Sequence, residues 1–165
     1  MQKVVIGCDA YGYRLKESVK QYLIERGLEV DDVGVYTAQE PRPYYEVAMT
    51  VAARVAHNEI ERGLLVCGSG MGMAIIANKF PGVYAAVCEN RMAAERARSI
   101  NNANVLTLGE FVTSPEAARE VVDAWLDTEF ASGWEPAIQA FLHRSLGEIQ
   151  SIEQRVVRDF DKTAE

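Results

Sequence analysis

A thiol, a hydroxyl and three glycines fall within six residues of this chain: Cys67, Gly68, Ser69, Gly70, Met71 and Gly72. The run follows a short apolar segment, 63–67 (GLLVC), and precedes a helical pattern that reaches about Lys79. A glycine-rich turn entering a helix leaves backbone N–H groups unpaired and directed at a crevice, where they can hold a phosphate, a carboxylate or an enediolate oxygen. A cysteine beside such donors has its thiolate stabilised by the same dipole. A base next to an oxyanion cradle is the equipment for removing a proton α to a carbonyl. Packing competes with this reading, because a buried strand-end cysteine more often fills space than reacts. A second strand end, Gly7-Cys8-Asp9, has a similar make-up. The turn is not a dinucleotide fingerprint, since its spacing is G-x-G-x-G and it follows the third strand, and no Gly-Lys-Ser/Thr of a phosphate-binding loop occurs.

The elements that must position these residues alternate. Short apolar runs at 3–8, 28–33, 63–67, 83–88 and 104–108 predict five strands. Helical spacing covers 13–26, where Gly27 stops it, then 44–57, about 72–79 and 90–99. Ser114-Pro115-Glu116 opens a further helix to about Leu126, with Ser as N-cap and Pro at the first helical position. Strands alternating with helices predict an α/β fold, a three-layer Rossmann-like sandwich around a five-stranded parallel sheet. The loop 34–43 holds Pro41-Arg42-Pro43, and 130–136 reads as a connector. Beyond it a long amphipathic helix spans roughly 136–158, with Ile138, Phe141, Leu142, Leu146, Ile149, Ile152 and Val156 on one stripe. We read 1–130 as the α/β unit and 131–165 as connector and oligomerisation helix of the same domain, with the helix packing on a partner subunit.

The chain has 165 residues and a net charge of −7, which argues against nucleic acid as a partner. No apolar run approaches the ~20 residues needed to cross a bilayer, so no membrane partner is expected. Three cysteines, Cys8, Cys67 and Cys88, do not make a disulfide framework, and reduced thiols suit a cytoplasmic protein.

Several segments together resemble a known family. Gly7-Cys8-Asp9 with Gly12 and Leu15-Lys16 looks like the N-terminal signature of the ribose-5-phosphate isomerase B / galactose-6-phosphate isomerase family. Cys67 to Met73 followed by Ala77-Asn78-Lys79-Phe80-Pro81-Gly82 resembles its catalytic segment. Asn101-Asn102-Ala103-Asn104-Val105-Leu106, Gly109 and Val122-Asp123-Ala124-Trp125-Leu126 match further. The resemblance implies an aldose–ketose isomerase that works through a cis-enediolate without metal or cofactor. In it Cys67 is the base, Ser69 and the N–H groups of Gly68 to Gly72 support the enediolate, and Asp9 and Asn101 bind sugar oxygens. It also implies a homodimer or homotetramer with active sites shared between subunits, and a small sugar or sugar phosphate as partner.

The departures from that pattern bear on the substrate. The family's His after the first-strand Asp is Ala10 here, followed by Tyr11, and its His before the position of Asn101 is Ile100. Its Asp-Tyr-Pro reads Pro41-Arg42-Pro43. Its Gly-Gly-Arg-His reads Ser132-Gly133-Trp134-Glu135, and a second tail Arg falls at Ile138. Those residues open the sugar ring and hold the phosphate in the relatives. The two histidines present, His57 and His143, sit on helices among polar neighbours and read as surface. The substrate expected is therefore one that needs no ring opening, such as a tetrose or tetrulose 4-phosphate. Arg42, held stiffly between prolines, is the better anion anchor, and Arg14 and Arg91 read as solvated charges. The alternatives are a pentose or hexose phosphate, a sugar acid, or a non-catalytic paralogue that binds a sugar phosphate.

Overall fold

The structure, a computed structural model, describes residues 3–163, with side chains to residue 159. Five strands form one parallel sheet: β1 (Lys3–Cys8), β2 (Glu29–Asp32), β3 (Arg62–Cys67), β4 (Ala85–Val87) and β5 (Val105–Gly109). Their order is β2-β1-β3-β5-β4. Six α-helices accompany them: α1 (Tyr13–Glu25), α2 (Tyr44–Ala56), α3 (Met71–Ala77), α4 (Arg91–Ser99), α5 (Pro115–Asp127) and α6 (Pro136–Thr163). A single 3₁₀ turn, Ala10–Gly12, joins β1 to α1.

Side-chain alternation sorts the strands' apolar residues between two cores. Ile6, Cys8, Leu64, Val66, Leu106 and Leu108 face α1, α4 and α5, around the fully buried Trp125. Val5, Leu65, Cys67 and Val105 face α2 and α3. The expected three-layer α/β sandwich is therefore present. The helix ends follow their chemistry. Asn90 accepts from Ala93 N at the start of α4, and Ser114 accepts from Ala117 N at the start of α5, with Pro115 in the first turn. At the end of α1, Leu28 N reaches Leu23 O and Gly27 N reaches Ile24 O, which closes the helix and turns the chain into β2.

Helix α6 behaves differently. Leu142 is its one buried apolar residue among those described, and Phe141, Ile149, Ile152, Val156 and Val157 are exposed. Glu153 ties it to the α3–β4 loop by accepting from Gly82 N at 3.0 Å. No helix among the described residues is long and apolar enough to cross a membrane.

Candidate active site

The chain runs from β1 to β2 on one side of it and then crosses to β3 on the other, so the C-terminal ends of β1 and β3 are the switch point at which such sheets form a crevice. The register sets Cys8 beside Val66 and Cys67 beside Gly109, which brings Asp9, the 67–72 turn and the residues after β5 to one edge. Backbone bonds lock this edge together: Glu110 N to Cys67 O and Phe111 N to Gly68 O, both at 2.9 Å. The Glu110 carboxylate in turn accepts from Leu15 N at 3.0 Å.

Cys67 is buried, with 6% of its surface exposed, and Gly70 N donates to its Sγ at 3.1 Å. Gly70 itself takes a left-handed conformation, φ +77°, which a glycine adopts without strain and which sends the chain into α3. A side chain there would also press on the Leu108 backbone at 3.0 Å. Ser69 is half-buried and its Oγ lies 3.4 Å from Met71 N. A main-chain donor aimed at a sulfur is the contact a negatively charged thiolate needs.

Asp9 is nearly buried, and its Oδ1 accepts from Tyr11 N at 3.0 Å and Gly12 N at 3.1 Å, capping the 3₁₀ turn. Burial raises its pKa, outweighing those two N–H bonds, and the charge of Glu110 adds to the rise. Asp9, Ala10, Tyr11, Arg42 and Tyr44 line one hollow of about 550 Å³. Arg42 thus shares a hollow with Asp9, yet its guanidinium already donates to Val33 O at 2.6 Å and Thr50 Oγ1 at 3.0 Å. Arg14 is exposed in a neighbouring hollow, and Arg91 pairs with Glu95 at 2.9 Å on the surface.

Asn101 is not brought to this edge. It follows α4 and precedes β5, at the edge where β3 begins, because Gly63 N bonds Asn104 O. The four steps from Gly63 to Cys67 separate the two edges by about 13 Å. Trp134 shares the Asn101 end: Ala131 N bonds Ser99 O, and Arg96 stacks over the Trp134 ring at 4.7 Å.

Two residues at the crevice escaped the sequence reading. The Tyr44 ring lies against Gly72, where a β-carbon would meet its Cε2 at 2.8 Å, and the Phe111 ring lies against Gly68, with the same distance at 2.5 Å. Each follows a recognisable element end, Pro43 at the start of α2 and Gly109 at the end of β5, but only the sheet order shows which turn it covers.

The Ribose/Galactose Isomerase family matches residues 4–139. The chain belongs to this family. A 4-deoxy-4-sulfo-D-erythrose isomerase of Clostridium sp. is 43% identical over 156 residues, covering 94% of this chain and 98% of that protein. A D-erythrulose-4-phosphate isomerase of Pectobacterium atrosepticum is 42% identical over 133 residues, covering 81% and 88%. Among solved structures, ribose-5-phosphate isomerase B of Clostridium thermocellum superposes with a TM-score of 0.85 at 38% identity, covering 94% of this chain and 99% of that one. Membership of the Ribose/Galactose Isomerase family and the class of enzyme, a sugar isomerase, agree with the expectation raised by the Cys67 and Asp9 motifs.

Proposed function

We propose that this isomerase interconverts an acyclic four-carbon aldose and its ketose, carrying an anionic group on C4. The observation that carries the reading is the absence of an imidazole from the crevice. Position 10 is Ala; His57 is exposed at the far end of α2, about 20 Å along the helix from Tyr44, and His143 is exposed on α6. Opening a sugar ring needs a group that gives and takes protons near neutral pH. An aldotetrose closes a furanose through its C4 hydroxyl, so a C4 substituent leaves it open and removes that need. Two relatives are named for four-carbon substrates of this kind.

In the proposed reaction the Cys67 thiolate takes the proton from C2 of the aldose. The electron pair forms the C1–C2 double bond, and the carbonyl oxygen becomes the enediolate oxygen facing the N–H groups of the turn. Return of the proton to C1, with loss of the O2 proton, yields the ketose. In this reading the Ser69 hydroxyl accompanies the proton from O2 to O1.

A sulfonate carries one charge at neutral pH and a phosphate monoester close to two. The hollow sets Asp9 and Glu40 against the single, partly committed Arg42, a balance that opposes a dianion more than a monoanion. Asn101, at the opposite edge of the sheet, reaches a crevice only in a second copy of the chain. The exposed apolar stripe of α6, within the 131–165 segment we assign to assembly, supports the same homodimer or homotetramer. Three buried free thiols fit a cytoplasmic enzyme.

The test is aldose–ketose conversion with D-erythrulose 4-phosphate, 4-deoxy-4-sulfo-D-erythrulose and D-ribose 5-phosphate. We expect kcat/KM for one of the four-carbon substrates to exceed that for ribose 5-phosphate by about 100-fold or more. Comparable turnover of ribose 5-phosphate overturns the reading.

A further inference from the structure

We propose that Phe111, braced by Tyr11, is the wall that sets how long a sugar chain the crevice accepts, an inference that rests on the four-carbon reading above. Phe111 is 72% exposed and Tyr11 67%. Their rings meet edge to face, with centroids 6.1 Å apart and planes at 72°. Two large rings left in water beside a catalytic turn mark a surface that something covers. The Phe111 ring is held by more than the stack. Its own N–H donates to Gly68 O, and its ring occupies the space where a β-carbon at Gly68 would lie, one residue after the proposed base. The pair forms the ridge between two hollows, one of about 550 Å³ bordered by Asp9, Tyr11 and Arg42, the other of about 410 Å³ bordered by Arg14, Glu110 and Phe111. A chain whose reacting carbons sit at the turn meets this ridge where its further carbons must go. On this proposal the ring stands where a fifth carbon would go.

Length is separated from ring opening by comparing two open-chain ketoses, D-erythrulose 4-phosphate and D-ribulose 5-phosphate, since phosphorylation of O5 keeps the latter acyclic. Kinetics of the full chain are measured for the parent, Phe111→Ala and Phe111→Tyr. In Phe111→Ala we expect the preference for four carbons over five to fall by about ten- to a hundredfold, mainly through KM. Phe111→Tyr should keep the parent's ratio. Because the side chain is exposed, the alanine variant should keep the parent's melting temperature. A Phe111→Ala ratio within twofold of the parent, including a uniform loss on both substrates, overturns the proposal. A parent that turns over ribose 5-phosphate as readily as four-carbon substrates instead overturns the reading beneath it.

Discussion

Two neighbouring strands of this protein end in cysteine, and the two thiols meet different surroundings. Cys8 closes β1 and Cys67 closes β3, but Cys8 pairs with Val66, so Cys67 stands one residue farther along. One residue is half the period of a strand, and it puts the two side chains on opposite faces of the sheet. Cys8 enters the core beneath α1 and α5, where burial pushes its thiol up to about 12, against the pull of Lys16. Cys67 faces α2 and α3 with Gly70 N–H on its sulfur. Residue type and strand position are shared; what differs is the chain that follows. After Cys8 comes Asp9, whose carboxylate satisfies the free N–H groups of its own turn. After Cys67 comes a turn in which Gly70 N–H is met by the sulfur and Met71 N–H by the Ser69 hydroxyl.

Replacing Cys67 should break this contrast most. Cys67→Ala is expected to lower kcat by about a thousandfold or more and to end deuterium exchange from solvent into the substrate, at a stability cost of about 1 kcal/mol. Activity within tenfold of the parent removes Cys67 as the base. The β1 end should show the opposite profile, in stability rather than turnover. Lys16 is fully buried there, bonded to Asp32 at 2.7 Å, to Val35 O at 3.1 Å and to Glu17. Asp32→Asn leaves that ammonium short of a partner and should cost about 3 kcal/mol by denaturant titration, with kcat within threefold of the parent.

Acid sharpens the same point. Burial works to raise the Asp32 pKa, but hydrogen bonds from Lys16, Lys20 and Gly34 N outweigh it and hold the value below the ordinary ~3.9. A depressed carboxylate pKa contributes stability above its unfolded value and loses it as pH falls through the folded one. Melting temperature should therefore fall steeply below about pH 4 in the parent and less steeply in Asp32→Asn.

Gly70→Ala should come next, costing about 2 kcal/mol for the left-handed backbone and about tenfold in kcat as the strained, crowded turn draws the N–H off the sulfur. A normal rate in that variant would show that the donor on Sγ is dispensable. Cys8→Ala should be mildest, about 1 kcal/mol in stability with kcat unchanged within twofold.

The sequence made the framework legible because its signals are local. Short continuous apolar runs, Ser114-Pro115 and Gly27 each fix an element without reference to anything distant. Within the site, Cys67, Gly68, Ser69, Gly70 and Gly72 were readable for the same reason, being consecutive. Arg42 was half readable: its stiff loop shares a hollow with Asp9, but the claim of Val33 O and Thr50 on its donors depends on where β2 and α2 meet. Tyr44 and Phe111 were invisible, since nothing in 34–45 or 109–115 says which turn their rings cover. Asn101 carried a motif that the chain places at the wrong edge for its own crevice, a matter of topology that spacing cannot express.

The close of β5 against the turn has a consequence for how such an enzyme diversifies. A β-carbon at Gly109 would fall 2.6 Å from the main-chain carbon of Ser69, so at this point the machinery rests on bare backbone with no side chain between. Mutational drift has no purchase there: any larger residue pushes β5 and the 67–72 turn apart. New specificities must instead arise on the surrounding loops, where an exposed ring can be traded for a cation or a smaller group without moving the frame.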